Sequence, residues 1–258
     1  MKDELGERIK GYEDCFRHTI PRKSCIILRL DGKAFHTLTR GMKRPFDEDL
    51  RECMFQATLA LCENIQNVKL AYTQSDEISL LLTDYENIKT DAWFDNNIQK
   101  MVSISASICT HAFNKEFNQR FSTKKVAYFD SRVFLLPKEE VCNYFIWRQK
   151  DCTRNSINMV AQSYFSHKEC HKKNTSQLQD MLMLQKNVNW NDYPIQYKRG
   201  VSFYKEIISK SVEALMIKGV KLPETVKRRV WKIDYEMPIL TQDREYVDKW
   251  VFPQGEKV

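Results

Sequence analysis

Residues 24–136 alternate between two hydrophobic periods in an order that few folds accommodate. Ser24–Leu30 is a short apolar run with the length of a central strand. Asp47 can cap a helix whose apolar positions are Leu50, Met54, Ala57, Leu61 and Ile65. Val68–Thr73 and Ile78–Leu82 read as two strands joined by the corner Ser75-Asp76-Glu77. A helix from about Asn97 to Phe117 carries Met101, Ile104, Ile108 and Ala112 on one face, and Val126–Leu136 is a further strand, stopped by Pro137. Strand, helix, strand, strand, helix, strand is the split βαβ or ferredoxin-like plan. The expected class is α+β: one antiparallel sheet with flanking helices.

Either side of this core the texture differs. Leu5, Ile9, Tyr12 and Phe16 recur at helical spacing, so the chain is expected to open with an amphipathic helix. Residues 138–258 read as mainly helical, with basic clusters at Lys168/His171/Lys172/Lys173, Lys198/Arg199 and Lys227/Arg228/Arg229/Lys232. We place a subdomain boundary near 137, with residues 138–258 packing closely on residues 1–137. Aromatic residues lie among the clusters (Trp190, Tyr193, Tyr197, Phe203, Tyr204, Trp231), a mixture that suits stacking on RNA as well as an ordinary core. The net charge of +7 agrees with a polyanionic partner without demanding one. Eight scattered cysteines form no regular framework and fit free thiols in a reducing cytoplasm. The opening Met1-Lys2-Asp3-Glu4-Leu5 lacks the apolar stretch of a signal peptide, and no apolar run is long enough to span a bilayer.

Chemistry concentrates at two acidic corners. The first strand leaves through Arg29-Leu30-Asp31-Gly32-Lys33-Ala34-Phe35-His36, and the second corner is Gln74-Ser75-Asp76-Glu77. Asp31 would leave its strand near the hairpin that carries Asp76, so both carboxylates can meet at one edge of the sheet. Mg²⁺ takes oxygen ligands and commonly binds through one or two carboxylates plus substrate phosphates. Two such ions can activate an attacking oxygen and neutralise a leaving pyrophosphate. The plain alternative is that Asp-Gly and Ser-Asp are turn formers. Successive backbone N–H groups from Gly32 to His36 form a candidate phosphate cradle. No Walker A or GxGxxG motif is present, which argues against P-loop and Rossmann readings. Cys15-x-x-His18 and His167-x-x-Cys170, with His171, have local zinc spacing but lie far apart, and ordinary thiols and surface imidazoles explain them better.

Four blocks in order are similar to the tRNA-His guanylyltransferase family, including its guanylyltransferase-like branch. They are RLDGKAFH at 29–36, AYTQSDEISLLL at 71–82, FDSRV at 129–133 and WRQKDC at 147–152, followed by a weaker QKN at 185–187 and YKRG at 197–200. The resemblance implies a polymerase-palm-like fold and nucleotide addition to the 5′ end of tRNA in the 3′-to-5′ direction. It implies that Asp31 and Asp76 hold two Mg²⁺ with the Gly32 carbonyl as a further ligand, and that Glu77, which follows the metal aspartate, belongs with them to the catalytic set. It implies that the amides of Gly32, Lys33, Ala34, Phe35 and His36 bind a nucleoside triphosphate, ATP or GTP. Ser75, Lys100 and Arg132 match phosphate-contacting positions, and Arg44 stands where the family usually has lysine. Asn155, Lys186, Asn187, Lys198 and Arg199 are the candidate tRNA contacts, and a homotetramer built as a dimer of dimers is implied.

One departure bears on substrate choice. The strict tRNA-His branch carries His-Ile-Asn-Asn after the Asp-Cys pair, whereas this chain reads Thr153-Arg154-Asn155-Ser156. That favours templated repair of 5′-truncated tRNAs. Strict guanylate addition to tRNA-His, and a catalytically idle tRNA-binding protein of the same fold, stay open. A nucleotide cyclase also shares the palm-like sheet and paired aspartates, but the FDSRV and WRQKDC blocks speak against it.

Overall fold

A computed structural model describes residues 3–87, 89–211, 216–217, 220–221 and 225–252. Its centre is a six-stranded antiparallel sheet. Strands β1 (Cys25–Gly32), β2 (Val68–Gln74), β3 (Glu77–Thr83) and β4 (Phe129–Leu136) pair in the order β4-β1-β3-β2. Helices α3 (Glu48–Asn64) and α4 (Ile98–Phe121) make the two crossovers, so the ferredoxin-like plan is present. α1 (Glu4–Asp14) precedes β1, and a single turn, α2 (Phe35–Leu38), follows it.

The two faces of the sheet are covered differently because strand residues alternate between them. Ile26, Leu28, Leu30, Ile78, Leu80 and Leu82 point toward α3 and α4, where they pack with Met54, Leu61, Met101, Phe113 and Phe117. Cys25, Ile27, Leu70, Tyr72 and Leu81 point the other way, toward α5 (Lys138–Tyr164) and α9 (Glu245–Val251). The far half of α5 continues beyond the sheet and packs with α6 (His167–Cys170) and α7 (Thr175–Lys186) through Ile157, Val160, Phe165 and Leu182. α8 (Ile195–Arg199) lies against α5 and leads back into the sheet.

Several elements differ from the sequence reading. The buried face of α4 is Met101, Ser105, Cys109, Phe113 and Phe117, one step round from the expected stripe, and Ile104 stays exposed. Ser105 tolerates burial because its hydroxyl lies 2.8 Å from that of Ser131 on β4. β4 begins at Phe129 rather than Val126: the Asn114 side chain takes up both the N–H and the carbonyl of Ala127 at 2.8 Å, in place of a strand partner. The opening helix forms, capped by Asp3, yet Leu5, Ile9 and Tyr12, with Phe16 just beyond, are each more than half exposed.

The later part of the chain also adds two strands to the central sheet. β5 (Val201–Ser211) joins the edge of β2 through Val201–Tyr204, and β8 (Thr225–Asp234) pairs along β5 from Ser202–Asp234 to Ser211–Thr225. Met216–Ile217 (β6) and Val220–Lys221 (β7) form a small pair of their own. Basic residues 227–229 and 232 hide the period-two signal of β8. In β5 the side chains from Lys205 to Ser209 are exposed, so no apolar alternation is needed there. All eight cysteines are unpaired, and only Cys15 is exposed. No helix among the described residues is long and apolar enough to cross a membrane.

Candidate active site

The end of β1 and the β2–β3 hairpin meet at one corner of the sheet. Gln74 pairs with Glu77, so Ser75 and Asp76 form a two-residue turn, and Ser75 takes a left-handed φ of 50° to close it. The Gly32 N–H donates to the Asp76 carbonyl at 3.0 Å. Asp31 lies directly opposite Glu77 on β3 and directly opposite Asp130 on β4. Directly opposed residues share a sheet face, so Glu77, Asp31 and Asp130 form an acidic row with Asp76 at its end.

The electrostatics follow from this crowding. Burial raises the proton affinity of Asp76; a 3.0 Å hydrogen bond from the Ser75 hydroxyl opposes it, and the charge of Asp31 adds to it. Glu77 is buried and its pKa is pushed up to about 7, chiefly by burial, with Arg148 and Arg29 pulling it down and Asp31 pushing it further up. Arg148 of α5 is itself buried. Its Nε lies 2.7 Å from Glu77 Oε1, close enough for an ion pair though not aligned as a hydrogen bond. Its Nη2 lies 2.6 Å from Asp151, and its guanidinium stacks on Trp147 at 4.1 Å. Glu77 is therefore held from behind, and Asp31 and Asp76 are the carboxylates left to face a ligand.

That donor set fits a hard divalent cation. A buried carboxylate whose proton affinity is raised by burial and by a neighbouring carboxylate, as at Asp76, is relieved by a cation. Among the described residues, no group of three or more His, Cys, Asp or Glu side chains is arranged to hold a metal. An ion here would rely on two carboxylates, a carbonyl and substrate phosphates rather than on a complete protein cage. The same finding leaves Cys15, His18, His167, Cys170 and His171 without a zinc cluster.

The candidate phosphate cradle is narrower than the sequence implied. The N–H groups of Gly32 and Lys33 are already bonded, to Asp76 and to the Tyr128 carbonyl at 2.8 Å. Ala34, Phe35 and His36 open α2, where the first amides have no helical partner, and Ala34 is left-handed with φ 55°. Gly32 is required for packing: a Cβ there would stand 2.3 Å from the Phe35 ring. That ring is locked edge-on against Phe113 and Phe129. Phe35 can thus serve a ligand only through its backbone, while the Lys33 and His36 side chains are exposed. Beside the cradle lies a cavity of about 660 Å³, walled by the 39–47 loop with Arg44, by Leu50 and Met54, by the hairpin residues 73–76 and by Asn155 of α5.

This combination of sheet plan, acidic corner and cradle agrees with the comparisons. Residues 6–137 match the family model described as tRNAHis guanylyltransferase. The chain belongs to that family. A bacterial tRNA(His) guanylyltransferase (Thg1)-like protein solved with ATP is 42% identical, with a TM-score of 0.84 over 96% of this chain and 100% of that one. A structure so described with GTP is 40% identical, with a TM-score of 0.77 over 97% and 100%. A probable tRNA(His) guanylyltransferase of Dictyostelium discoideum is 26% identical over 90% of this chain and 96% of its own length.

The remaining family-block positions fall into two groups. Arg132 shares the acidic-row face of the sheet, opposite Arg29, and pairs with Asp130 at 3.2 Å. Lys100 is not brought to this corner within the chain. It sits at the start of α4, ten residues and so about 15 Å along the helix from Thr110. It is Thr110, not Lys100, whose hydroxyl accepts from the Phe129 N–H next to Gly32. Asn155 lines the cavity. Lys186 and Asn187 end α7 on the surface, Asn187 as its left-handed cap. Lys198 turns inward and donates to the Asn191 carbonyl at 2.5 Å over the Trp190 ring; burial lowers its pKa. Arg199 donates to the Met237 carbonyl at 3.1 Å, and its own carbonyl accepts from the Tyr72 hydroxyl at 2.9 Å.

Residues 197–200 thus act in the fold of this guanylyltransferase-family chain as a brace. Tyr197 accepts from Arg51 at 2.7 Å, and a Cβ on Gly200 would stand 2.5 Å from the Tyr72 hydroxyl. Sequence reasoning did not single out Arg148 or Gln74, although both lie inside the family blocks. Their partners are distant in sequence or absent, so no local pattern marks them.

Proposed function

We propose that this chain is a template-dependent 3′-5′ nucleotidyltransferase that repairs the 5′ end of truncated tRNA. The observation that carries the reading is the joining of Asp31 and Asp76 at one corner, through the Gly32–Asp76 bond and the β1–β3 register. Family membership and the ATP- and GTP-bound relatives support nucleoside triphosphates as substrates.

In the first step the 5′-monophosphate oxygen of tRNA attacks the α-phosphate of ATP or GTP. Pyrophosphate leaves and a 5′-5′ linked, activated end forms. The 3′-hydroxyl of an incoming nucleoside triphosphate then attacks the tRNA 5′-phosphorus, and the nucleoside monophosphate departs. In-line displacements of this kind need positioning and charge neutralisation more than a protein nucleophile. Asp31, Asp76 and the Gly32 carbonyl would hold two Mg²⁺, which supply activation of the attacking oxygen and charge neutralisation. The amides of residues 34–36 bind phosphate oxygens, Ser75 fixes the Asp76 carboxylate, and Arg44 and Arg132 offset phosphate charge. Glu77 acts through Arg148 as part of the support beneath Asp31. Pairing with the 3′ strand of the acceptor stem chooses the base, with Asn155, Lys186 and Asn187 facing the RNA.

The test is incubation of a tRNA lacking its first nucleotide with nucleoside triphosphates and Mg²⁺. Wild type extends it; Asp31→Ala and Asp76→Ala lower extension by at least about a hundredfold. Extension that survives either substitution removes the reading. A preference for full-length tRNA-His over several truncated tRNAs replaces repair with strict guanylate addition. We also infer a homotetramer, a dimer of dimers, supported by the uncovered apolar face of α1. Light scattering at four protomer masses is the expected result.

A further inference from the structure

Most polar side chains around the nucleotide-sized cavity are already committed within the protein. Thr73 donates to the Glu77 carbonyl at 3.0 Å, Thr39 to the Phe35 carbonyl at 2.8 Å, and Ser75 to Asp76. Ser156 bonds the Thr153 carbonyl at 3.0 Å and accepts from Trp190 at 3.1 Å. Among the buried uncharged polar side chains of the lining, Thr73, Gln74, Cys152 and Ser156, Gln74 is the exception; half-buried Arg51 also leaves its Nε unbonded, but its Nη1 is held by the Tyr197 hydroxyl. Gln74 is 7% exposed, it lines the cavity, and its Oε1 is buried without a hydrogen-bond partner. Whichever way the amide is turned, one end stays shut in and unbonded. An unpartnered buried amide group costs about 1–3 kcal/mol, so its retention at the mouth of a site calls for a partner that arrives with the ligand.

We propose that Gln74 is a sugar-recognising contact: its amide bonds a ribose hydroxyl of the nucleoside triphosphate in this cavity. The inference rests on the nucleotide site proposed above. The part of the lining from α3 offers Leu50, Met54 and Phe55, which suit the flat face of a base, while the Arg51 guanidinium between them is turned to Tyr197. The open amides of residues 34–36 and the Asp76 carboxylate mark the phosphate end. In a nucleotide the sugar links these two parts, and Gln74 sits one residue before the Ser75-Asp76 turn, on the strand that leads to it. A contact to the sugar also leaves the base free to be chosen by a template strand. A base contact would impose a preference of its own.

The experiment measures binding of ATP, 2′-deoxy-ATP, 3′-deoxy-ATP and GTP to the full chain with Mg²⁺. Each is measured on wild type and on Gln74→Met, which keeps side-chain length and removes the amide. Gln74→Glu is a second variant should the first fold poorly. Wild type should bind ATP about tenfold more tightly than one of the two deoxy analogues. Gln74→Met should weaken ATP by about that factor, leave that analogue nearly unchanged, and keep the ATP-to-GTP ratio constant. Equal weakening of all four ligands, or a changed ATP-to-GTP ratio, overturns the assignment while leaving the nucleotide site intact. If wild type binds no triphosphate, the proposed site and the Gln74 contact fall together.

Discussion

The two faces of the central sheet obey different rules. Toward α3 and α4 the inward strand residues are apolar apart from Thr73 and Ser131, and the packing ends in a ladder of rings at Phe35, Phe113, Phe117 and Phe129. Toward α5 the strands begin apolar at Cys25, Ile27 and Leu81. They turn polar toward the acidic corner, through Arg29, Ser79, Glu77 and Asp31. There burial is bought with specific partners: Ser79 shares a 2.7 Å hydrogen bond with Tyr144, and Glu77 takes Arg148. The first face holds the fold mainly by hydrophobic burial. The second spends stability to keep charge desolvated beside the acidic row.

Deleting a ring from the first face should therefore give the largest loss. Phe113 is fully buried against Phe35, Phe117 and Phe129. Phe113→Ala is expected to cost about 3–5 kcal/mol in urea unfolding, while Phe113→Leu costs less because much of the volume is kept. Equal costs for the two would mean that the rings matter through their mutual geometry rather than through filled space.

On the second face the sign depends on which partner is left behind. Arg148→Ala abandons Glu77 as a buried, uncompensated carboxylate and should cost about 3 kcal/mol or more. Arg148→Lys should recover little, since one ammonium cannot meet both Glu77 and Asp151 and stack on Trp147. Arg148→Met combined with Glu77→Gln should recover most of the loss. If the double variant is no better than the single, the pair does not act as a unit, and the contrast between the faces is weaker than drawn here.

This contrast also explains what the sequence disclosed. A strand and helix order is written in local apolar periods, so β1 to β4 and both crossover helices were legible. Asp31 and Asp76 were legible because turn chemistry placed each at a strand end. The α5 face was not: the partners of Glu77 and Ser79 lie on a helix far along the chain, and no period marks Arg148. β5 and β8 were missed because their exposed basic stretches look like any solvated surface, and β5 is anchored in the core at its start, by Val201 and Phe203 with Tyr204 half-buried on the other face. Lys100 matched a motif, yet distance along α4 keeps it from the corner, a fact that spacing in sequence cannot express.

The smallest expected effect uses the thiols as reporters of the two faces. Cys53 lies in the α3/α4 core and Cys142 in the α5 core, and burial pushes their pKa up to about 12 and about 11. A raised thiol pKa keeps the unreactive protonated form through pH 9, so raising the pH from 7 to 9 should not expose either to a thiol reagent. Native protein should label quickly at Cys15 alone, and all eight cysteines should label in denaturant. Slow labelling then reports local opening rather than ionisation. The face that depends on paired charges has fewer purely apolar contacts to lose, so Cys142 should label sooner than Cys53, by a factor of a few. Mass spectrometry of partly labelled protein reads that order directly. The reverse order would show that the polar network closes its face more tightly than the rings close theirs.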